Sequence, residues 1–82
     1  MQASLATYKI EAQRDKETGI LRNIWLKVRL INGFSQTVAW TYGKEIKPSA
    51  LTTDGMMQYS IYDKNGTLRA IYWAHDIEIT DI

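Results

Sequence analysis

Ile24-Trp25-Leu26-Lys27-Val28-Arg29-Leu30-Ile31-Asn32-Gly33-Phe34-Ser35-Gln36-Thr37-Val38-Ala39-Trp40 is the stretch whose reading decides the fold. Its first half alternates without a break: Ile24, Leu26, Val28 and Leu30 fall on one side of an extended chain, and Trp25, Lys27 and Arg29 on the other. Successive side chains of a strand point to opposite faces, so this is a half-buried strand, whereas a helical repeat would scatter the apolar residues around the axis. Asn32-Gly33 then supplies the backbone freedom of a hairpin turn, and residues 34–42 return as the second strand.

Two registers compete in that hairpin. A two-residue turn pairs Ile31 with Phe34, sets Val38 opposite Lys27 and puts Leu26 opposite Ala39. A three-residue loop with Gly33 as a bulge pairs Leu30 with Phe34, Leu26 with Val38 and Ile24 with Trp40, while Arg29, Lys27 and Trp25 meet Ser35, Thr37 and Ala39. The bulged register segregates apolar from polar better and is the expected one.

The same signals extend outward. Residues 5–14 alternate Tyr8, Ile10 and Ala12 against Lys9, Glu11 and Gln13, and Tyr8 and Ile10 are expected to face the core. Lys16-Glu17-Thr18-Gly19, Thr53-Asp54-Gly55 and Asn65-Gly66 are further turn clusters. A two-residue Asn65-Gly66 turn joins residues 56–62 to 67–75, with Met57, Tyr59, Ile61, Leu68, Ala70, Tyr72 and Ala74 on one face and Arg69, Ile71, Trp73 and His75 on the other. Residues 76–82 alternate again, Ile77 and Ile79 against acidic positions, as a short edge strand. The pattern breaks only over residues 44–55, where the single proline, Pro48, could open a short helical turn anchored by Leu51.

The expected fold is therefore all-β. It is a small twisted antiparallel sheet, or a partly open SH3-like or OB-like barrel of roughly five or six strands, with one short helical turn near residues 48–52. Residues 1–82 are one domain, because a chain of 82 residues has no material for a second core. Its composition, 45% hydrophobic and 23% charged, is that of a folded domain and not of a disordered chain.

Composition also excludes function classes. With no cysteine there is no disulfide framework and no thiolate metal site. No apolar run approaches the ~20 residues of a membrane-spanning helix, so no membrane association is expected. Residues 1–7 lack the features of a secretory leader, which makes the cytoplasm the expected setting. Ten basic and nine acidic side chains leave a net charge of +1, so the chain as a whole has no basic surplus for a polyanion.

The residues for chemistry do not assemble into a motif. His75 is the only histidine, and its neighbour Asp76 should point to the opposite face of the strand. Asp76, Glu78 and Asp81 read as a solvated acidic edge, and Asp63-Lys64-Asn65-Gly66 lacks the remaining ligands of a calcium loop. The glycines form no phosphate-cradling run. No catalytic residue, cofactor or metal is expected, and the chain is not expected to be an enzyme.

One feature stands above background: aromatic and basic residues interleaved on strand faces that the alternation turns toward solvent, Trp25, Lys27 and Arg29 on one hairpin and Arg69, Ile71 and Trp73 on the other. Trp and Arg dominate the energetics of protein interfaces, so these six residues form the candidate partner-binding patch of a small non-catalytic adaptor or inhibitor, as in mobile-element proteins that block host machinery. The alternative is a single-stranded nucleic-acid-binding domain in which the two tryptophans stack on bases. Homodimer formation through a strand face or edge would use the same residues. The competing structural expectation is that Trp25 or Trp73 closes a second small core.

Overall fold

The computed structural model describes residues 6–82; the part of the first run at position 5, and the leader reading over residues 1–5, lie outside the described residues. Among the described residues the fold is all-β, with seven strands and no helix: β1 (Thr7–Arg14), β2 (Leu21–Arg29), β3 (Ser35–Gly43), β4 (Glu45–Thr53), β5 (Met56–Tyr62), β6 (Leu68–Ala74) and β7 (Asp76–Asp81). They form two sheets, one in the order β3-β2-β1-β7 and one in the order β4-β5-β6. Seven strands in two open sheets replace the five- or six-stranded single sheet or barrel expected from the turn spacing. The difference arises because the chain changes sheet twice without a turn cluster to announce it.

The first change is at Gly43 and Lys44, where the Lys44 amide donates to the Tyr62 carbonyl (2.8 Å). The second is at His75, whose amide donates to the Tyr8 carbonyl (2.8 Å). The C-terminal strand is an edge strand as expected, but it runs parallel to β1, with Ile10 opposite Ile77 and Ala12 opposite Ile79. All other pairings are antiparallel.

The helical turn near residues 48–52 is corrected. This segment belongs to β4, which pairs with β5 at Pro48↔Tyr59 and Thr52↔Met57 around an irregular stretch between them. Because β4 is an edge strand, the missing amide of Pro48 breaks no internal ladder. Leu51 is not an anchor, being 57% exposed.

Alternation sorts the inner faces. Ile10 and Ala12 of β1 and Leu21 and Ile24 of β2 meet Ile61 of β5 and Tyr72 and Ala74 of β6 in one buried cluster. Tyr8, Leu26, Ala39, Ile46, Tyr59, Ala70 and Ile77 pack around it. Burial pushes the Tyr72 phenol above its ordinary pKa.

The β2–β3 hairpin carries both of the competing registers. Near the turn it is the bulged one: Leu30 and Phe34 close a three-residue loop, Gly33 adopts φ 88°, and Arg29, Val28 and Lys27 face Ser35, Gln36 and Thr37. An irregularity at Val38 then shifts the ladder, so that Leu26 faces Ala39 and Trp25 faces Trp40. The β5–β6 hairpin repeats the arrangement. In place of the expected two-residue turn, Asp63 and Thr67 close a three-residue loop, and the ladder shifts at Arg69 before settling into Ile61↔Ala70 and Tyr59↔Tyr72, the register that the two-residue turn would have set.

Candidate functional site

The six patch residues do not share one face. Trp25 and Lys27, both half-buried, and the exposed Arg29 lie on the side of β2 turned away from Ile24 and Val28, the outer face of the first sheet. Ile71 (47% exposed) and the half-buried Trp73 lie on the side of β6 opposite Tyr72 and Ala74, the outer face of the second sheet. Each trio points away from the shared core, so the two halves are carried by different sheets. Arg69 leaves its own trio: its guanidinium lies 4.8 Å from the Tyr42 ring centroid and 4.0 Å from Asp63 Oδ2.

The basic members of the patch are largely neutralised within the fold. Lys27 Nζ lies 2.8 Å from Glu11 Oε1 and 5.7 Å from the Trp25 ring centroid. Beside it, Lys9 donates to Glu78 (2.6 Å) and stands 3.9 Å from Glu11, so Glu78, Lys9, Glu11 and Lys27 alternate in sign across β7, β1 and β2. The hydrogen bond to Glu78 holds the Lys9 ammonium pKa above its ordinary value. Arg14 Nε and Asp81 Oδ1, 2.8 Å apart, repeat the link at the far end of β7; each stabilises the charged form of the other, raising the Arg14 pKa and lowering that of Asp81. Among the described residues Arg29 makes no ion pair.

The structure brings together aromatic residues that the sequence reading assigned elsewhere. Trp40, expected opposite Ile24 on the core side, is instead the cross-strand partner of Trp25 and is 54% exposed. Tyr42 follows two residues later, its ring 6.2 Å from that of Trp40, and receives the Arg69 guanidinium. Trp40 and Tyr42 border an open groove of about 520 Å³, flanked by Ile20, Arg22, Asp63 and Lys64. The shift at Val38 explains the relocation. It turns the small residues Ala39 and Thr41 toward the core, where the bulk of Trp40 would overfill the space, and moves Trp40 outward. The available signal was that neither uniform register separates apolar from polar along the whole hairpin.

His75 and Asp76 do not form a catalytic pair. The Tyr8 amide donates to His75 Nδ1 (3.0 Å), the imidazole stacks on the Tyr8 ring, and Asp76 Oδ1 accepts from the Ile77 amide (2.9 Å). Among the described residues no three His, Cys, Asp or Glu side chains are grouped to hold a metal ion. No helix in the described residues is long and apolar enough to cross a membrane. Compared with protein-family models, curated proteins and solved structures, the chain matches none.

Proposed function

We propose that this chain is a small non-catalytic protein-binding module, an adaptor or inhibitor of a larger protein, acting in the cytoplasm. The observation that carries the reading is the distribution of exposed apolar surface. Of eleven large apolar side chains exposed among the described residues, six belong to the β2–β3 loop and β3: Leu30, Ile31, Phe34, Val38, Trp40 and Tyr42. A concentration of this kind marks an interaction surface, whereas scattered single residues do not. Trp25, Lys27 and Arg29 border it on the neighbouring strand, and Arg69 caps Tyr42 at its far end. Ile71 and Trp73, on the other sheet, fall outside this primary face.

Pairing of Lys27 with Glu11 and of Arg69 with Asp63 favours a protein over a polyanion, since phosphate contacts require cations not already satisfied. The nucleic-acid reading retains one specific support, the Trp40–Tyr42 groove with Arg22 and Lys64 at its rim. Affinity capture with the wild-type chain and with Trp40→Ala/Tyr42→Ala separates the outcomes. A captured protein that binds the purified wild type and loses the folded double variant is the expected result. Capture unaffected by the double substitution refutes the assignment of the face. Tryptophan quenching by single-stranded oligonucleotides that weakens steeply with salt transfers the site to nucleic acid.

A further inference from the structure

We infer that the free edge of β3 pairs with the same edge of a second copy of this chain, antiparallel and centred on Trp40, joining the two four-stranded sheets into one. This goes beyond the binding face proposed above, because it concerns the backbone edge of β3 and needs no other protein.

The first sheet ends at β3, whose outer edge pairs with no strand among the described residues. Natural sheets guard such edges with charges, proline or irregular pairing. Each of the other edges here carries charged side chains. β7 carries Asp76, Glu78 and Asp81; β4 carries Pro48, Glu45 and Lys47 and is interrupted between Pro48 and Thr52; β6 has Arg69 at its irregularity. β3, Ser-Gln-Thr-Val-Ala-Trp-Thr-Tyr-Gly, contains no charged residue and no proline; its pairing with β2 shifts at Val38 and again between Thr41 and Gly43, where the extra residue lies on β2, so residues 39–43 themselves stay a continuous strand.

The chemistry of the edge selects a second copy as its occupant. A two-fold interface sets a strand against itself, so it tolerates no charge near its centre that would meet its own image. Centred on Trp40, the pairing sets Ala39 against Thr41 of the partner subunit on the inner side and Val38 against Tyr42 of the partner subunit on the outer side. Trp40 meets Trp40 of the partner subunit at the axis. Small residues thus face small ones where the sheet must approach its core, and large apolar residues face each other outside. β3 has no charged side chain of its own to pair with an acidic or basic strand, and the cation beside it, Arg69 over Tyr42, already lies 4.0 Å from Asp63. The pairing also keeps both Trp25 faces on one side of the joined sheet, doubling the proposed binding face.

Sedimentation equilibrium of the full chain across the micromolar range tests the inference. The expected result is a species of twice the monomer mass that dissociates on dilution, with the outward-pointing β3 amides, those not bonded to β2, protected from hydrogen exchange only in the dimer. Trp40→Lys places like charges together at the axis and should weaken dimerisation by at least about 30-fold, as loss of a central Trp does at interfaces. Ile79→Lys, at a 40%-exposed position on the opposite edge, should leave it unchanged. Should Trp40→Lys lose the wild-type far-UV circular dichroism, Val38→Lys carries the same test at a 47%-exposed position. A monomer at every concentration, a dimer that survives the lysine, or protection gained on dimerisation at strands other than β3 overturns the inference. Because the pure chain is measured alone, failure here is distinct from failure of partner capture.

Discussion

Substituting Gly43 by alanine isolates the physical requirement at the point where the chain leaves the first sheet for the second. Gly43 is buried, and a Cβ built there would lie 2.8 Å from the Tyr62 carbonyl oxygen and 2.9 Å from Ile61 Cγ2. That carbonyl is already fixed, since it accepts the Lys44 amide at 2.8 Å, and Ile61 is fully buried, so neither neighbour can rotate aside. Forcing an extra methyl into a closed site costs typically 1–3 kcal/mol, and a backbone neighbour points to about 3 kcal/mol. Alanine offsets roughly 0.4–1 kcal/mol of this by restricting the unfolded chain. The net loss should be about 2 kcal/mol. For a domain of this size, that lowers the melting temperature by roughly 8–16 °C. Urea unfolding followed by tryptophan fluorescence measures it, with an unchanged m-value required so that the shift reports the native state. A Gly43→Ala chain within about 0.5 kcal/mol of wild type would refute the claim that the close approach of β3 to β5 demands glycine.

Other consequences are equally direct. Ile61→Ala empties a fully buried position and should cost about 2–5 kcal/mol, whereas Ile71→Ala, 47% exposed, should stay within about 0.5 kcal/mol in the same urea assay. The Asp81 pKa is held below its ordinary value by the Arg14 hydrogen bond, so its contribution is present above the unfolded-state pKa and is lost as pH falls through the folded-state value. Protection factors, corrected for the intrinsic exchange rate, should therefore fall first in β7 on acidification, and Asp81→Asn should abolish that acid-dependent component. Lys9 has the opposite sign: with its folded-state pKa raised, its contribution is complete below the ordinary lysine value and is lost only as pH rises through the folded-state value, so Lys9→Met should remove an alkaline loss of β7 protection. Because His75 Nδ1 accepts the Tyr8 amide, the neutral ring should carry its proton on Nε2, which a long-range ¹H–¹⁵N imidazole correlation reads directly. The Nδ1–H tautomer in that spectrum would remove the His75 side chain, though not its backbone amide, from the link to Tyr8 of β1.

Much of the fold was legible because period-two alternation records which side of a strand is dry. Ile10, Ile24, Val28, Ile61, Tyr72 and Ala74 lie where alternation places them. Asn32-Gly33 and Asn65-Gly66 both mark hairpins, and the first closes through the expected three-residue loop. The segment of residues 44–55 misled because Pro48 reads locally as a helix start, while its place on an edge strand is a property of the sheet. The candidate face was legible in part. Trp25, Lys27 and Arg29 lie on an outer face, but Trp40 and Tyr42 emerge beside them only through the shift at Val38.

By itself the sequence determined that this chain is β-structured, where its hairpins turn and which strand faces are apolar, because turn chemistry and alternation act over a few neighbouring residues. Only the tertiary structure decided that the strands divide between two sheets, that β7 returns parallel to β1, and that the aromatic surface gathers on β3. Those outcomes depend on which distant segments fit together. Ala39 and Thr41 fit the inner face where Trp40 would not, and Gly43 lets β3 cross against Tyr62. Volume and close approach of this kind have no local signature in the chain.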